Sequence, residues 1–285
     1  MSGEQIPQVI GEYKIMRPVA RGMMGMVYVG TMGNNVFHAI KLLDPRVAEK
    51  LPWATKFVEE VKGEHLLEPK MIDIHGDRTY VVTEYLEVKP ISRQRLAGIS
   101  SAKLVGIVAD IADALQKVHD LGLCHGNIKT SNILVRRQGG SLESMVSDFG
   151  MQYIYDKEII KGDKIGKTFS YMSPERAQQY MQRVQAKDVK LTPQMDIYSL
   201  GVSLCEVLTG SVAYSDMETP EAILDKKKNR KYVVVGMTSP SRKLDLARLN
   251  EVVGKSTAYD APVRYRSMTD FAKALRECVL QKEEA

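Results

Sequence analysis

The stretch that decides the fold is His125-Gly126-Asn127-Ile128-Lys129-Thr130-Ser131-Asn132-Ile133-Leu134, followed by Ser147-Asp148-Phe149-Gly150. Asn132 and Asp148 carry side-chain oxygens of the kind that Mg²⁺ prefers, and such a site usually shares its metal with substrate phosphates. Asn127 can orient a hydroxyl group through its amide, but an amide cannot accept a proton at neutral pH. The two segments therefore indicate a metal and phosphate site without an obvious general base.

Upstream of this stretch, short β-rich segments alternate with turns. Residues 13–16 open a strand, residues 26–29 resume one after the glycine turn at 22–25, and Asn34-Asn35 leads into a third strand at 36–42. The pattern predicts three consecutive antiparallel strands. Glycines in the first turn would let backbone amides approach phosphate oxygens, which a side chain would block.

The loop at 125–134 resembles the catalytic loop of protein kinases, in which His-Arg-Asp-x-Lys-x-x-Asn precedes Asp-Phe-Gly. Residues 19–28 (VARGMMGMVY) and 38–41 (HAIK) are similar to the glycine-rich loop and third-strand lysine of that family, especially its bacterial Ser/Thr group. The resemblance runs from about Gly11 to Leu280. It implies a bilobal α+β fold, with a small β-rich lobe containing one long helix and a mainly helical large lobe.

The resemblance also implies an ATP site in the cleft between the lobes. Lys41 should neutralise the α- and β-phosphates, and Val27 and Ala39 should cover the adenine. Thr83 should lie at the back of the adenine pocket, with the hinge backbone beyond it bonding the purine edge. Ala20 replaces the first glycine of the loop, and alanine can keep the negative φ needed there. The implied nucleotide-binding residues are Ala20, Gly22, Gly25, Val27, Ala39, Lys41, Glu60, Thr83, Glu84, Leu86 and Leu134.

Two changes separate this chain from the kinase pattern. By resemblance, Asn132 and Asp148 should bind Mg²⁺ and Lys129 should meet the γ-phosphate. Asn127, however, stands where the catalytic Asp should be, and Gly126 stands where an Arg usually pairs with a phosphorylated activation loop. We therefore expect Asn127 to be non-catalytic, and we expect no loop control of the usual phosphorylation-dependent form.

Residues 52–67 carry a helical period and correspond to the helix that supplies a glutamate to the third-strand lysine. Glu60 aligns best with that glutamate, and Glu59 is the alternative. With Glu60 in that role, Glu64 falls where an apolar residue usually packs against Phe149. Because an unpaired carboxylate is costly to bury, we expect this helix to be displaced or built differently.

The second half of the chain reads as helical. Leu104, Ile107, Val108, Ile111, Leu115 and Val118 recur every three or four residues and predict an amphipathic helix. By resemblance, Asp196 should brace the backbone of the catalytic-type loop, and Glu175 should form a buried pair with Arg264. Residues 167–171 resemble the stretch that binds peptide substrates.

Composition fits a soluble globular protein, with 285 residues of which 44% are hydrophobic and 26% charged. The apolar runs are far shorter than the ~20 residues of a membrane helix, and no secretory signal is expected. Cytoplasmic residence is the default, as a whole protein or as the cytoplasmic domain of a longer one. The net charge is only +5. The basic run at 226–231 therefore predicts a solvated helix end, and no nucleic-acid partner is expected.

We expect an N-terminal extension at 1–10, a small lobe at 11–83, a hinge at 84–88, a large lobe at 89–280 and a tail at 281–285. The predicted function is that of a pseudokinase, which binds ATP and Mg²⁺ and acts as a switch or scaffold for a protein partner. A weakly active Ser/Thr kinase and a nucleotide-free interaction module are the alternatives.

Overall fold

A computed structural model shows a chain of two lobes. It describes residues 6–22, 25–33, 35–45, 54–92, 94–149, 164–182, 190–211, 214, 219–229 and 243–280. Met23 and Met24 of the glycine turn, Asn34, Gly150 and the predicted tail lie outside the described residues.

The small lobe is built on one antiparallel sheet with the strand order β1-β2-β3-β4-β6-β5. The strands are β1 (Val9–Ile10), β2 (Tyr13–Gly22), β3 (Gly25–Thr31), β4 (Phe37–Leu43), β5 (Pro69–His75) and β6 (Arg78–Glu84). The three predicted consecutive strands are confirmed as β2, β3 and β4. Tyrosine and aliphatic side chains fill the core on one side of the sheet, with Ile40 and Val82 fully buried.

The helix of the small lobe ends earlier than the helical period at residues 52–67 predicts. The described part of α1 (Ala54–Glu60) has only 7 residues. Gly63 has φ of +131° and His65 has φ of +62°, both outside the helical region, so the chain leaves the helix after Glu60 although the apolar period continues. Glu64 is consequently exposed, and its carboxylate is not buried.

The large lobe is organised around two long helices, α2 (Ser101–Asp120) and α5 (Pro193–Thr209). Ser100 caps α2 by accepting from the Lys103 amide, and the six apolar residues predicted for this helix are all buried. In α5 every residue from Met195 to Leu208 is buried except Glu206. A helix that is apolar all round belongs in the interior, and α5 forms the centre of this lobe.

The remaining elements surround these two helices or connect the lobes. After β6, residues 85–88 lead to a three-stranded sheet of β7 (Lys89–Pro90), β8 (Ile133–Gln138) and β9 (Ser141–Val146). The other helices are α3 (Lys164–Tyr171), α4 (Pro174–Met181), α6 (Pro220–Asn229), α7 (Leu246–Ser256) and α8 (Met268–Arg276). None of the helices in the described ranges has the length and apolar character required to cross a bilayer.

Candidate nucleotide site

Asp196 of α5 holds the backbone of the catalytic-type loop. Its carboxylate is fully buried and accepts from the amides of His125 and Gly126 at 2.8 and 2.7 Å. The Nε2 atom of His119 lies 2.9 Å from the same carboxylate. Burial alone would raise the pKa of Asp196, but these donors outweigh it and hold the pKa below its ordinary value. The brace expected from the sequence is therefore present.

His125 serves as a connector and not as a proton carrier. Its Nε2 donates to the Ser147 carbonyl at 2.8 Å, and its Nδ1 accepts from the Asn127 amide at 3.1 Å. Both ring nitrogens of the neutral tautomer are therefore hydrogen-bonded. Burial lowers the pKa of this imidazole. The ring packs edge-on against Phe149, with centroids 4.7 Å apart. His125 joins the loop to the Asp148 segment.

Asn132 is oriented by its own loop. Its Nδ2 donates to the Asn127 carbonyl at 2.9 Å, and its backbone carbonyl accepts from the Ser147 amide at 2.8 Å. The Oδ1 atom accepts from the Ser131 hydroxyl at 3.3 Å and has a second lone pair that could face a metal. Together with the Asp148 carboxylate it forms an oxygen donor set that suits Mg²⁺.

Asn127 is 6% exposed, and its hydrogen bonds run through its backbone. Within the described part of the chain, no hydrogen bond engages its side-chain amide. Asn127 lines a small pocket together with Lys129 and Thr168. Its amide can position a hydroxyl group in that pocket, but it cannot take the proton.

Lys41 and Asp148 form an ion pair across the cleft, with Nζ 2.8 Å from Oδ2. The pair is largely shielded, since the two side chains are 15% and 27% exposed. Burial would raise the pKa of Asp148, but the charges of Lys41 and Lys129 outweigh that effect and hold the pKa below its ordinary value. Asp148 has φ of +67°, an uncommon conformation for a residue with a side chain, and this conformation places the carboxylate opposite Lys41.

The expected partner of Lys41 is not in place. Among the described residues, neither Glu60 nor Glu59 forms an ion pair with Lys41, and Asp148 occupies that position. Glu60 is the last residue of α1 and is half-buried, while Glu59 is exposed. Phe57 of the same helix turns inward instead, 6.4 Å from Phe149 between ring centroids. The short helix thus contributes packing in place of a charge.

Lys129 completes the charged face of the cleft. Burial lowers the pKa of its ammonium, and the opposing charge of Asp148 partly offsets that effect. The cleft therefore carries two lysines and one carboxylate close to the Asn132 amide. Such a set can neutralise phosphate groups and hold a divalent cation.

The residues predicted to surround the adenine lie on neighbouring strands. Ala20 pairs with Val27, Val27 with Lys41, and Ala39 with Thr83. Ala20 keeps a negative φ, as expected. Leu134 is half-buried on β8, in the large lobe.

The glycine turn and the hinge flank these strands. Gly22 and Gly25 close the turn as a pair. Gly25 has φ of +141°, and a Cβ there would lie 2.0 Å from the Leu42 carbonyl, so only glycine fits. In the hinge, Glu84 pairs with His38, and the Leu86 carbonyl accepts from the Val88 amide at 2.8 Å.

The expected pair of Glu175 and Arg264 is present and buttresses the large lobe. Two guanidinium nitrogens of Arg264 meet the two carboxylate oxygens of Glu175 at 2.7 and 2.8 Å. Arg264 also donates to the carbonyls of Ala258, Tyr259 and Gln194. Since Arg264 is only 2% exposed, these bonds satisfy a buried charge.

Two connections were missed by the sequence reading. Thr130 donates to Glu206 at 2.7 Å, and the Tyr171 hydroxyl contacts both residues, which connects the loop to the segment before α4.

Lys227 is 4% exposed, so the expectation that the whole basic run is solvated is wrong for this residue. The available signal was its spacing of four from the buried Ile223, which puts both residues on one helix face.

Comparisons with known proteins agree with this architecture. Serine/threonine-protein kinase Pkn1 of Myxococcus xanthus is 27% identical over 277 residues, covering 93% of this chain and 38% of that protein. PknD of Mycobacterium tuberculosis is 26% identical over 299 residues, covering 99% of this chain and 42% of that protein. The chain thus spans about two-fifths of the length of these relatives.

Solved structures show the same fold. The crystal structure of the Mycobacterium tuberculosis PknI kinase domain matches with a TM-score of 0.68 at 20% identity, covering 95% of this chain and 98% of that chain. The family model of the protein kinase domain matches residues 13–283. With its small β-rich lobe and helical large lobe, the chain belongs to the protein kinase domain family.

Proposed function

We propose that this chain binds Mg·ATP between its lobes and acts as a regulatory switch or scaffold for a protein partner, with phosphoryl transfer absent or very slow. The observation that carries the proposal is an assembled phosphate and metal set, Lys41, Lys129, Asn132 and Asp148, around a loop with Asn127 at the base position. Loss of a general base typically slows a reaction by about 10² to 10⁴-fold. Binding does not require that base.

The charged side chains of the cleft are suited to receive the metal and the phosphates of Mg·ATP. Lys41 and Asp148 neutralise each other at 2.8 Å in the present conformation. Asn132 and Asp148 would hold Mg²⁺, which would supply positive charge beside the nucleotide phosphates. Lys41 would then be available to the α- and β-phosphates, and Lys129 to the γ-phosphate. Asn127 orients a nearby hydroxyl but leaves its proton in place.

A thermal-shift titration with ATP, in MgCl₂ and in EDTA, tests the binding proposal. We expect Mg·ATP to stabilise the chain, by about 2.7 kcal/mol at a hundredfold excess over Kd. Lys41→Met should abolish the shift, because the phosphates lose their cation. Lys14→Met, which alters an exposed lysine on strand β2 of the same sheet, should retain it. No shift at millimolar Mg·ATP would overturn the proposal and favour a nucleotide-free interaction module.

A second candidate function is that of a weakly active Ser/Thr kinase. The observation favouring it is that hydrogen bonds of Asp196, His125 and Asn132 hold the loop in place, even though the base is changed. Relatives such as Pkn1 bear the name of serine/threonine-protein kinases. Phosphoryl transfer depends largely on positioning and metal electrostatics, so slow turnover without a base is physically reasonable.

Transfer of labelled γ-phosphate, to the chain itself or to a protein rich in serine and threonine, separates the two candidates. We expect Asn127→Asp to raise the rate by about 10² to 10⁴-fold, since it restores a proton acceptor at a position that is already oriented. Asp148→Ala should remove whatever activity is present. Activity that survives Asp148→Ala would come from a contaminant. An unchanged rate in Asn127→Asp would show that more than the base is lacking.

A further inference from the structure

Lys227 is a buried cation on α6 that lies between two exposed lysines. It is 4% exposed, whereas Lys226 and Lys228 on either side are exposed. Its ammonium lies 4.8 Å from the centre of the Tyr198 ring. Among the described residues, no carboxylate lies within ion-pairing distance of it. A buried charge without a carboxylate is costly, so the contacts that Lys227 does make require an explanation.

Those contacts are to backbone carbonyls at the end of α3. The Lys227 ammonium donates to the Ser170 carbonyl at 3.1 Å and also to the Met172 carbonyl. The last carbonyls of a helix have no partner within the helix, and a cation there satisfies them. Lys227 therefore acts as a cap that a neighbouring helix supplies to α3.

The carbonyl between these two is held as well. Ser199 of α5 donates its hydroxyl to the Tyr171 carbonyl at 2.8 Å. Three successive carbonyls, at residues 170, 171 and 172, are thus bound by side chains of α5 and α6. The Tyr171 hydroxyl reaches Thr130 in the catalytic-type loop at 3.0 Å. A change in the anchoring of this segment would therefore alter the contact between Tyr171 and the loop.

Position 126 of the loop, where a basic residue could serve the same purpose, carries no cation. At position 126 the chain has glycine, whose amide is taken by Asp196. A phosphate group on the preceding segment would find no basic side chain at this position. We propose that Lys227 is the positioning residue that orders residues 168–172, which form a wall of the small pocket beside Asn127. Lys227 does so without phosphorylation of the chain.

The choice of substitution follows from the energetics. Burial lowers the pKa of the Lys227 ammonium well below its ordinary value, with Arg264 adding to the effect. Lys227→Met keeps much of the side-chain length and removes a buried charge that Glu175 offsets only in part, so global stability should be preserved or increased. The carbonyls of Ser170 and Met172 nevertheless lose their donor. A local loss of order without a global loss of stability is the signature that distinguishes anchoring from ordinary core packing.

Hydrogen exchange of the full chain, followed by mass spectrometry, tests the proposal. We expect Lys227→Met to speed exchange in peptides covering residues 168–173 by about tenfold or more, the scale of hydrogen bonds to a charged group. Lys226→Met and Lys228→Met are matched controls from the same run and should behave as the wild type. Phosphatase treatment of the wild type should leave its protection unchanged. Equal protection in wild type and Lys227→Met, or loss of protection after phosphatase treatment, would overturn the proposal.

A second variant keeps the test decisive if Lys227→Met does not fold. The amide group of Lys227→Gln can donate to only one of the two carbonyls. The exchange rate at residues 168–173 in this variant should therefore lie between that of the wild type and that of a fully released segment. Full wild-type protection in Lys227→Gln would contradict the anchoring role. Because this exchange experiment is carried out without nucleotide, its failure is separate from failure of the Mg·ATP proposal.

Discussion

At the scale of single residues, Asp196 has the greatest structural consequence. One carboxylate accepts two backbone amides of the loop and lies against His119. The amides of His125 and Gly126 each donate to a different oxygen of this carboxylate, so both bonds depend on the one side chain. The sequence reading identified this residue through its motif, and the structure supplies the physical reason.

We predict that Asp196→Asn lowers the free energy of unfolding by about 3 kcal/mol, as expected when one partner of a buried charged network is removed. The amide that replaces one oxygen is a donor and faces other donors. Denaturant unfolding measures the change. Asp120→Asn, at an exposed aspartate that accepts only from Gln116, is the control and should change stability by less than about 0.5 kcal/mol. A similar small effect at both positions would show that the loop does not depend on the carboxylate.

The same comparison has a pH dependence whose sign is fixed. The pKa of Asp196 is lower in the folded chain than the ordinary value of about 3.9. Its stabilisation is therefore present in full above that ordinary value and is lost as pH falls through the lower, folded value. The stability difference between wild type and Asp196→Asn should shrink in strongly acidic solution. A difference that stayed constant down to that range would contradict the assignment.

At the scale of elements, the end of α1 at Glu60 influences how the cleft is built. The helix ends at Glu60, so its inward face presents Phe57 to Phe149 and no carboxylate to Lys41. Residues 65–67 then pair with β9, where the Leu67 amide donates to the Val146 carbonyl and the Val146 amide to the His65 carbonyl, both at 2.8 Å. This backbone pairing fixes the end of the helix directly beside the Asp148 segment.

We therefore predict that Glu60→Gln changes the Mg·ATP affinity by less than about twofold, because no ion pair with Lys41 is lost. Isothermal titration calorimetry provides the measurement, and Asp148→Asn provides the comparison. The second variant should weaken binding strongly, since it removes a metal ligand and the charge opposite Lys41. A tenfold loss in Glu60→Gln would show that α1 moves inward when nucleotide binds and brings Glu60 to Lys41, the partner expected from the resemblance to protein kinases.

At the scale of the whole molecule, the two lobes meet through contacts of different chemistry around one segment. The ion pair of Lys41 and Asp148 crosses the cleft, the rings of Phe57 and Phe149 pack behind it, and the backbone of residues 65–67 joins β9. All three contacts involve residues 146–149. Nucleotide binding changes the first contact directly, so this segment is where occupancy of the cleft can alter how the lobes are held together.

The sequence by itself determined the order of the elements and the residues that hold the large lobe. Helical and strand periods and the glycine turn are local, and they predict α2 and the β2–β4 strands. Asp196 and the pair of Glu175 and Arg264 were predicted by the resemblance to protein kinases. Only the tertiary structure decided that Lys41 pairs with Asp148, that α1 ends at Glu60 and that Lys227 is buried. The partner of a charge depends on distances between elements remote in the chain, and local periodicity carries no information about those distances.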